Sequence, residues 1–202
     1  MSTKTEVRLN ALSDRGTAVP WMLWGILGLG LIVRVLFIGN QGFKVDIDTY
    51  EAWALSLNAH PFSQFYSATS FADYPPGYFY VLWFVGHVFS LLGPRSHAYT
   101  LLGRLSKLPA IVMDLVDGAV LYALVRRFAS ARWALFASAF FVLNPATTFI
   151  SAVWGQVDSV SAGFALIGVY LLLRSEDRDN SSFAWEITLG WVALAYSLLV
   201  KP

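Results

Sequence analysis

The chain contains no cysteine, which excludes disulfides, thiolate metal sites and cysteine nucleophiles. Charge is scarce as well. Only 13% of its 202 residues are Asp, Glu, Lys or Arg, where a soluble domain carries about a quarter. The net charge of +1 gives no electrostatic reason for a nucleic-acid partner, and none is expected. The three histidines, His60, His87 and His97, are too scattered for a zinc site. No Gly-rich phosphate loop follows a strand, so ATP and nucleotide-sugar sites have no support. No internal repeat occurs, and the first apolar run lacks the small-x-small exit of a cleaved signal peptide.

What the chain has instead is apolar surface: 56% of it is hydrophobic and 16% aromatic, with the charges set between long apolar runs. The lipid bilayer is therefore the expected solvent and partner. Six runs stand out, at about 21–39, 77–93, 107–125, 133–153, 160–173 and 185–200. They predict an all-α polytopic membrane protein with about six transmembrane helices. Residues 1–20 read as a cytoplasmic arm, because Lys4, Arg8 and Arg15 favour an inside N-terminus. Residues 21–202 read as one transmembrane domain, with 40–76 as a long, partly helical loop outside. In a prokaryote this places the protein in the plasma (inner) membrane. The chain stops at Lys201-Pro202 directly after an apolar run and is expected to be the N-terminal part of something longer.

Positive charge creates a conflict in this topology. Arg95, Arg104 and Lys107 follow the second run, and Arg126, Arg127 and Arg132 follow the third. If both runs cross once, the two clusters lie on opposite faces, against the positive-inside tendency. Either one cluster faces outward toward an anionic ligand, or one run is not a full crossing.

The stretch Lys44–Tyr80 is neither continuously apolar nor a plain connector. It holds Asp46, Asp48 and Asp73, a dense set of Phe and Tyr rings, and Pro75-Pro76, a stiff lead into the second run. Residues 48–59 have a helix-compatible composition. Asp46 and Asp48 flank Ile47 at a membrane boundary among aromatic rings. Burial there tunes a carboxylate toward general-base work. Two carboxylates can equally hold a divalent cation, the only cofactor the sequence suggests. The ordinary reading is a solvated pair on a loop. Asp73 is expected to return to the same boundary.

Asp114 and Asp117, three residues apart, share one face of the third run. A carboxylate at mid-bilayer costs roughly 2.5–3.5 kcal/mol, so it faces a cavity or a cationic partner on another helix. Arg34 lies near the end of the first run, placed to snorkel or to reach a polar site. His87 reads as an interhelical hydrogen-bonder. Asn144-Pro145 is expected to kink or break the fourth run. Trp154-Gly155-Gln156-Val157-Asp158-Ser159 reads as a polar turn with a Trp anchor.

Several segments together resemble a known pattern. Asp46, Tyr50-Glu51-Ala52-Trp53, Phe65-Tyr66 and Asp73-Tyr74-Pro75-Pro76 are similar, in that order, to the first external loop of GT-C-fold glycosyltransferases that use lipid-linked sugars. The likeness is nearest to the dolichyl-phosphate-glucose glucosyltransferases of asparagine-linked glycosylation and their bacterial relatives. Gln156, Asp158 and Ser159 fall where that family has a His-Phe-Gln-Tyr-Asn-Ser loop, and Lys201 falls where it has a Lys-Gln pair. The likeness covers most of residues 40–202, although the turn lacks the family's His and Asn. Asp46-Ile47-Asp48-Thr49-Tyr50 is also similar to the Asp-x-Asp of glycosylphosphatidylinositol mannosyltransferases.

The resemblance implies a hexosyltransferase that takes a sugar from a polyprenyl-phosphate donor with inversion. Asp46 would be the general base, with Asp48 as the second catalytic candidate. Arg104, Lys107 and Lys201 would hold the leaving phosphate, and Asp73, Tyr74, Asp114, Gln156 and Asp158 would complete the substrate-binding set. The alternative class is a transporter or flippase coupled through Asp114 and Asp117, and a weaker third is a non-catalytic scaffold.

Overall fold

The computed structural model describes residues 20–69, 71–93, 98–176 and 181–201. Most of the N-terminal arm, and Arg95 and His97 of the connector after the second run, lie outside the described residues. Every regular element among the described residues is helical. In chain order these are α1 (Pro20–Phe37), α2 (Lys44–Ala59), α3 (Pro76–Leu92), α4 (Ala98–Phe128), α5 (Ala131–Val142), α6 (Pro145–Thr148), α7 (Asp158–Ser175) and α8 (Ser181–Val200). A 3-10 turn at Phe62–Gln64 and one helical turn at Phe65–Ala68 lie between α2 and α3. A π-helical turn, Phe149–Trp154, continues α6.

Two helices, Thr100–Phe128 in α4 and Asp158–Ser175, are long and apolar enough to cross a membrane. Ala131–Val142 and Pro145–Trp154 pass that test together as a third, bent by 41°. The break has a local cause. Pro145 has no N–H to continue α5, and Asn144 caps α6 by accepting a hydrogen bond from the Ala146 N–H at 2.8 Å. Trp21–Phe37, Pro76–Leu92 and Trp185–Val200 are apolar but only 16 or 17 residues long. At 1.5 Å per residue they reach about 25 Å, against a hydrocarbon core of about 30 Å. Length and composition thus give two or three crossings where the sequence predicts about six.

Two boundaries also differ from expectation. The predicted connector 94–106 is helical from Ala98, because Leu102, Ser106 and Ala110 extend the buried stripe of α4 by one turn and more. Arg104 and Lys107 therefore sit on a helix, not in a loop. α2 begins at Lys44 rather than at Asp48, so Asp46 lies in its first turn, where the helix dipole favours a carboxylate.

α2 buries Ile47, Tyr50, Trp53, Ala54 and Leu57, a stripe at helical spacing. Against it α3 sets Tyr78, Phe79, Leu82, Val85 and Phe89, and Trp53 meets Phe79 edge to face at 5.2 Å. The long loop of the sequence reading is thus a packed layer whose core is aromatic. α4 is the hub and contacts α1, α2, α3, α5 and α7. α7 and α8 pair along their length, and a Cβ on Gly168 would lie 2.8 Å from the Gly190 carbonyl. Small residues permit that approach.

Candidate functional site

Two glycines bring the end of α1, the start of α2 and the end of the π-turn together. Gly42 has φ 76°, and a Cβ there would meet the Trp154 carbonyl at 2.6 Å. Gly155 is left-handed at φ 91°, and a Cβ there would meet the Ile47 Cδ1 at 2.5 Å. Both conformations are open to glycine and costly for other residues. Phe43 N–H donates to the Trp154 carbonyl at 3.2 Å, closing the junction.

At this junction Asp46 receives two side-chain hydrogen bonds on one oxygen. Trp154 Nε1–H donates to Asp46 Oδ2 at 2.9 Å, and Gln156 Nε2–H donates to the same oxygen. Asp46 Oδ1 has no partner among the described residues and stays available. Gln156 Oε1 in turn accepts from Tyr50 O–H and from Lys201 Nζ, both at 3.4 Å. Tyr50 and Tyr74 hydroxyls lie 3.0 Å apart. Lys201 Nζ donates to Asp158 Oδ1 at 2.5 Å and stands 6.0 Å from the centroid of the Tyr74 ring. Asp46, Tyr74, Gln156, Asp158 and Lys201, drawn from four separate segments, thus form one polar network.

Burial, then the hydrogen bond with Tyr74, pushes the Tyr50 phenol well up, so it remains a donor. For Lys201, burial pulls its pKa down, but the Asp158 hydrogen bond and charge and the nearby Tyr74 outweigh it. The net shift is upward, and the ammonium stays charged.

Asp48 does not join Asp46. Two residues apart on a helix, the carboxylates point to different sides. Asp48 is exposed and paired with Lys44 of its own helix at 2.6 Å. Asp73 is exposed and makes no hydrogen bond or ion pair with a described residue. Among the described residues, no three His, Asp or Glu side chains gather closely enough to hold a metal ion.

A cavity of about 270 Å³ opens on the next stripe of α2. Lys44, Ile47, Asp48 and Glu51 line it from α2, Thr100, Gly103, Arg104 and Lys107 from α4, and Asn40 and Gln41 from the junction. Lys107 Nζ donates to the carbonyls of Asn40 (2.7 Å), Val153 (3.0 Å) and Ala152 (3.2 Å), which uses all its protons. Arg104 has no hydrogen bond or ion pair with a described residue.

No family model, curated protein or solved structure matches the chain. Its site therefore rests on geometry alone.

Asp114 lies away from this network, on the buried face of α4. It accepts from Arg34 Nε at 2.8 Å and from the Ser159 hydroxyl, and both charged partners are fully buried. Arg34 also donates to the Val142 carbonyl at 2.8 Å and to the Gly30 carbonyl at 3.1 Å. The first-run arginine thus reaches inward rather than snorkelling. Both carboxylate oxygens of Asp117 are buried without a hydrogen-bond partner among the described residues. His87 is not interhelical: its Nδ1 bonds the Trp83 carbonyl one turn back, at 2.8 Å.

Glu51 and Tyr50 were legible only as parts of a motif. With α2 starting at Lys44, Asp46 and Tyr50 become one i,i+4 stripe and Ile47 and Glu51 the next, so one helix serves two adjacent sites.

Proposed function

We propose that the protein is a multi-pass membrane glycosyltransferase of GT-C type. It transfers a hexose from a polyprenyl-phosphate donor to an acceptor hydroxyl on the extracytoplasmic face of a prokaryotic plasma (inner) membrane. About six helices cross in this reading, the short apolar stretches Trp21–Phe37, Pro76–Leu92 and Trp185–Val200 by local thinning of the bilayer. The observation that carries it is the Asp46 carboxylate. Trp154 and Gln156 hold one oxygen, which fixes the group, and the other oxygen is left free.

In the reaction Asp46 Oδ1 takes the proton of the acceptor hydroxyl. That oxygen attacks the anomeric carbon from the side opposite the phosphate, the bond from that carbon to the phosphate oxygen breaks, and polyprenyl phosphate leaves. The product is inverted. A positioned base contributes typically 10²–10⁴-fold. Lys201, coupled to Asp46 through the Gln156 amide, supplies positive charge toward the leaving phosphate. Tyr74 and Tyr50 add a pair of facing hydroxyls and rings to the same network.

The test is incubation of the purified protein with a polyprenyl-phospho-hexose and a lipid or glycan extract as acceptor. Release of polyprenyl phosphate with formation of an inverted glycoside is expected. Intact donor across glucose, mannose and galactose versions would contradict the reading.

A transport reading draws on a different observation, the buried Asp117 one turn from the Arg34–Asp114 pair. It requires Asp117→Asn to stop solute movement in proteoliposomes, with no glycoside formed by the wild type.

A further inference from the structure

The cavity between α2 and α4 contains more charge than the transfer step uses. Its three cations differ in what they can offer. Lys44 is neutralised by Asp48, with contacts of 2.6 and 2.9 Å. Lys107 keeps its charge, but its protons go to three carbonyls. Arg104 has no described partner and keeps its five N–H donors, in the fork geometry that suits a tetrahedral oxyanion. Thr100, Asn40 and Gln41 add neutral polar groups to the wall.

Opposite these cations stands one uncommitted acid. Glu51 makes no hydrogen bond or ion pair with a described residue, and its Oε1 lies where a Cβ on Gly103 would meet it at 2.8 Å. The missing side chain at Gly103 makes room for the carboxylate against α4. No second carboxylate in the cavity is free, since Asp48 faces Lys44.

We propose that this cavity is a proton-gated oxyanion site, in which Arg104 binds a phosphate-class anion that Glu51 admits when protonated and excludes when ionised. With Glu51 neutral, Arg104 and Lys107 leave two uncancelled positive charges, and ionisation of Glu51 removes one of them. The charges that act on Glu51 are Asp48 and Lys44 of its own helix, and Arg104 and Lys107 line the same cavity from α4. α3 meets α2 on the Tyr50–Ala54 stripe, where its titratable group is Tyr78, and lends none to the cavity. Burial first, and then the Asp48 charge, hold the Glu51 carboxyl up to about 7 against the opposing pull of Lys44. The gate therefore works near neutrality.

Sulfate is the suitable probe, because it keeps its charge across the range tested. The purified protein in detergent is titrated with sulfate at pH 6 and pH 8.5 while the Gly103 amide is followed by NMR. The wild type is expected to bind about tenfold more weakly at pH 8.5, as the loss of one nearby charge predicts. Glu51→Gln is expected to bind at both pH values as the wild type does at pH 6. Arg104→Gln should lose about tenfold or more at either pH, and Arg104→Lys should lose less. Undiminished binding by Arg104→Gln overturns the site, and a retained pH dependence in Glu51→Gln overturns the gate. Sulfate binding is read without any sugar donor, so failure of hexose transfer and failure of this proposal are separate results.

Discussion

Asp46 and Gln156, 110 residues apart in the chain, meet through a hydrogen bond from the Gln156 amide to Asp46 Oδ2. The other end of the same amide accepts from Lys201 and Tyr50. Gln156 is therefore the link between an acid on α2 and a cation beyond α8, and its orientation is set from both sides. Gln156→Leu keeps the volume and removes the link. Transfer is expected to fall about 10²-fold, in the range of a misplaced base, with the melting temperature little changed. Trp154→Phe removes a single donor and should cost less. Single-turnover rates of the two variants check the order.

The Arg34–Asp114 pair gives a stability prediction. Both groups are fully buried, so removing one partner leaves an uncompensated charge, at a cost of about 3–5 kcal/mol. Arg34→Met should therefore unfold far more readily than wild type in detergent. The double variant Arg34→Met/Asp114→Leu should recover most of the loss. A double variant no better than the single one would show that the pair is not the source.

Lys107 is expected to matter for shape before it matters for ligands. Its ammonium ties the carbonyls of Asn40, after α1, and of Ala152 and Val153, in the π-turn, so it joins two of the segments that meet at the junction to α4. Lys107→Met leaves these carbonyls without their donor, at about 1–3 kcal/mol each where water cannot replace it. The expected outcome is a lower melting temperature together with a loosened Trp154, seen as a shift in tryptophan emission.

Glu51 makes stability depend on pH. Its carboxyl is held up to about 7, above its ordinary value of 4.5, chiefly by burial. The folded protein thus binds more protons than the unfolded chain between these values. Its contribution is full below about 4.5 and is lost as pH rises toward and through 7. Discounted for the solvent that reaches the group, the loss is about 1 kcal/mol. Glu51→Gln should flatten that part of the profile, as measured by thermal melts from pH 5 to 8.5.

The helical class and the break at Asn144-Pro145 were readable from the sequence, because apolar runs and proline act locally. The start of α4 was not. Arg95, His97 and Arg104 give residues 94–106 a polar look, yet Leu102 and Ser106 already carry the buried stripe, and the stripe sets the fold. The grouping of Asp46 with Gln156 and Lys201 was foreseen only through the resemblance, since no local signal joins residues that far apart. The separation of Asp46 from Asp48 was hidden for a simpler reason. Asp-x-Asp looks like a pair on a loop, and it becomes two opposed groups once the helix starts at Lys44.

The most direct test of the transferase reading is the rate of hexose transfer from a polyprenyl-phosphate donor by Asp46→Asn. Asparagine keeps the size of the group and can still accept from Trp154 and Gln156, but it cannot take up a proton. Expression and melting temperature should match wild type while transfer falls at least about 10²-fold. Wild-type turnover by Asp46→Asn would contradict the assignment of Asp46 as the base.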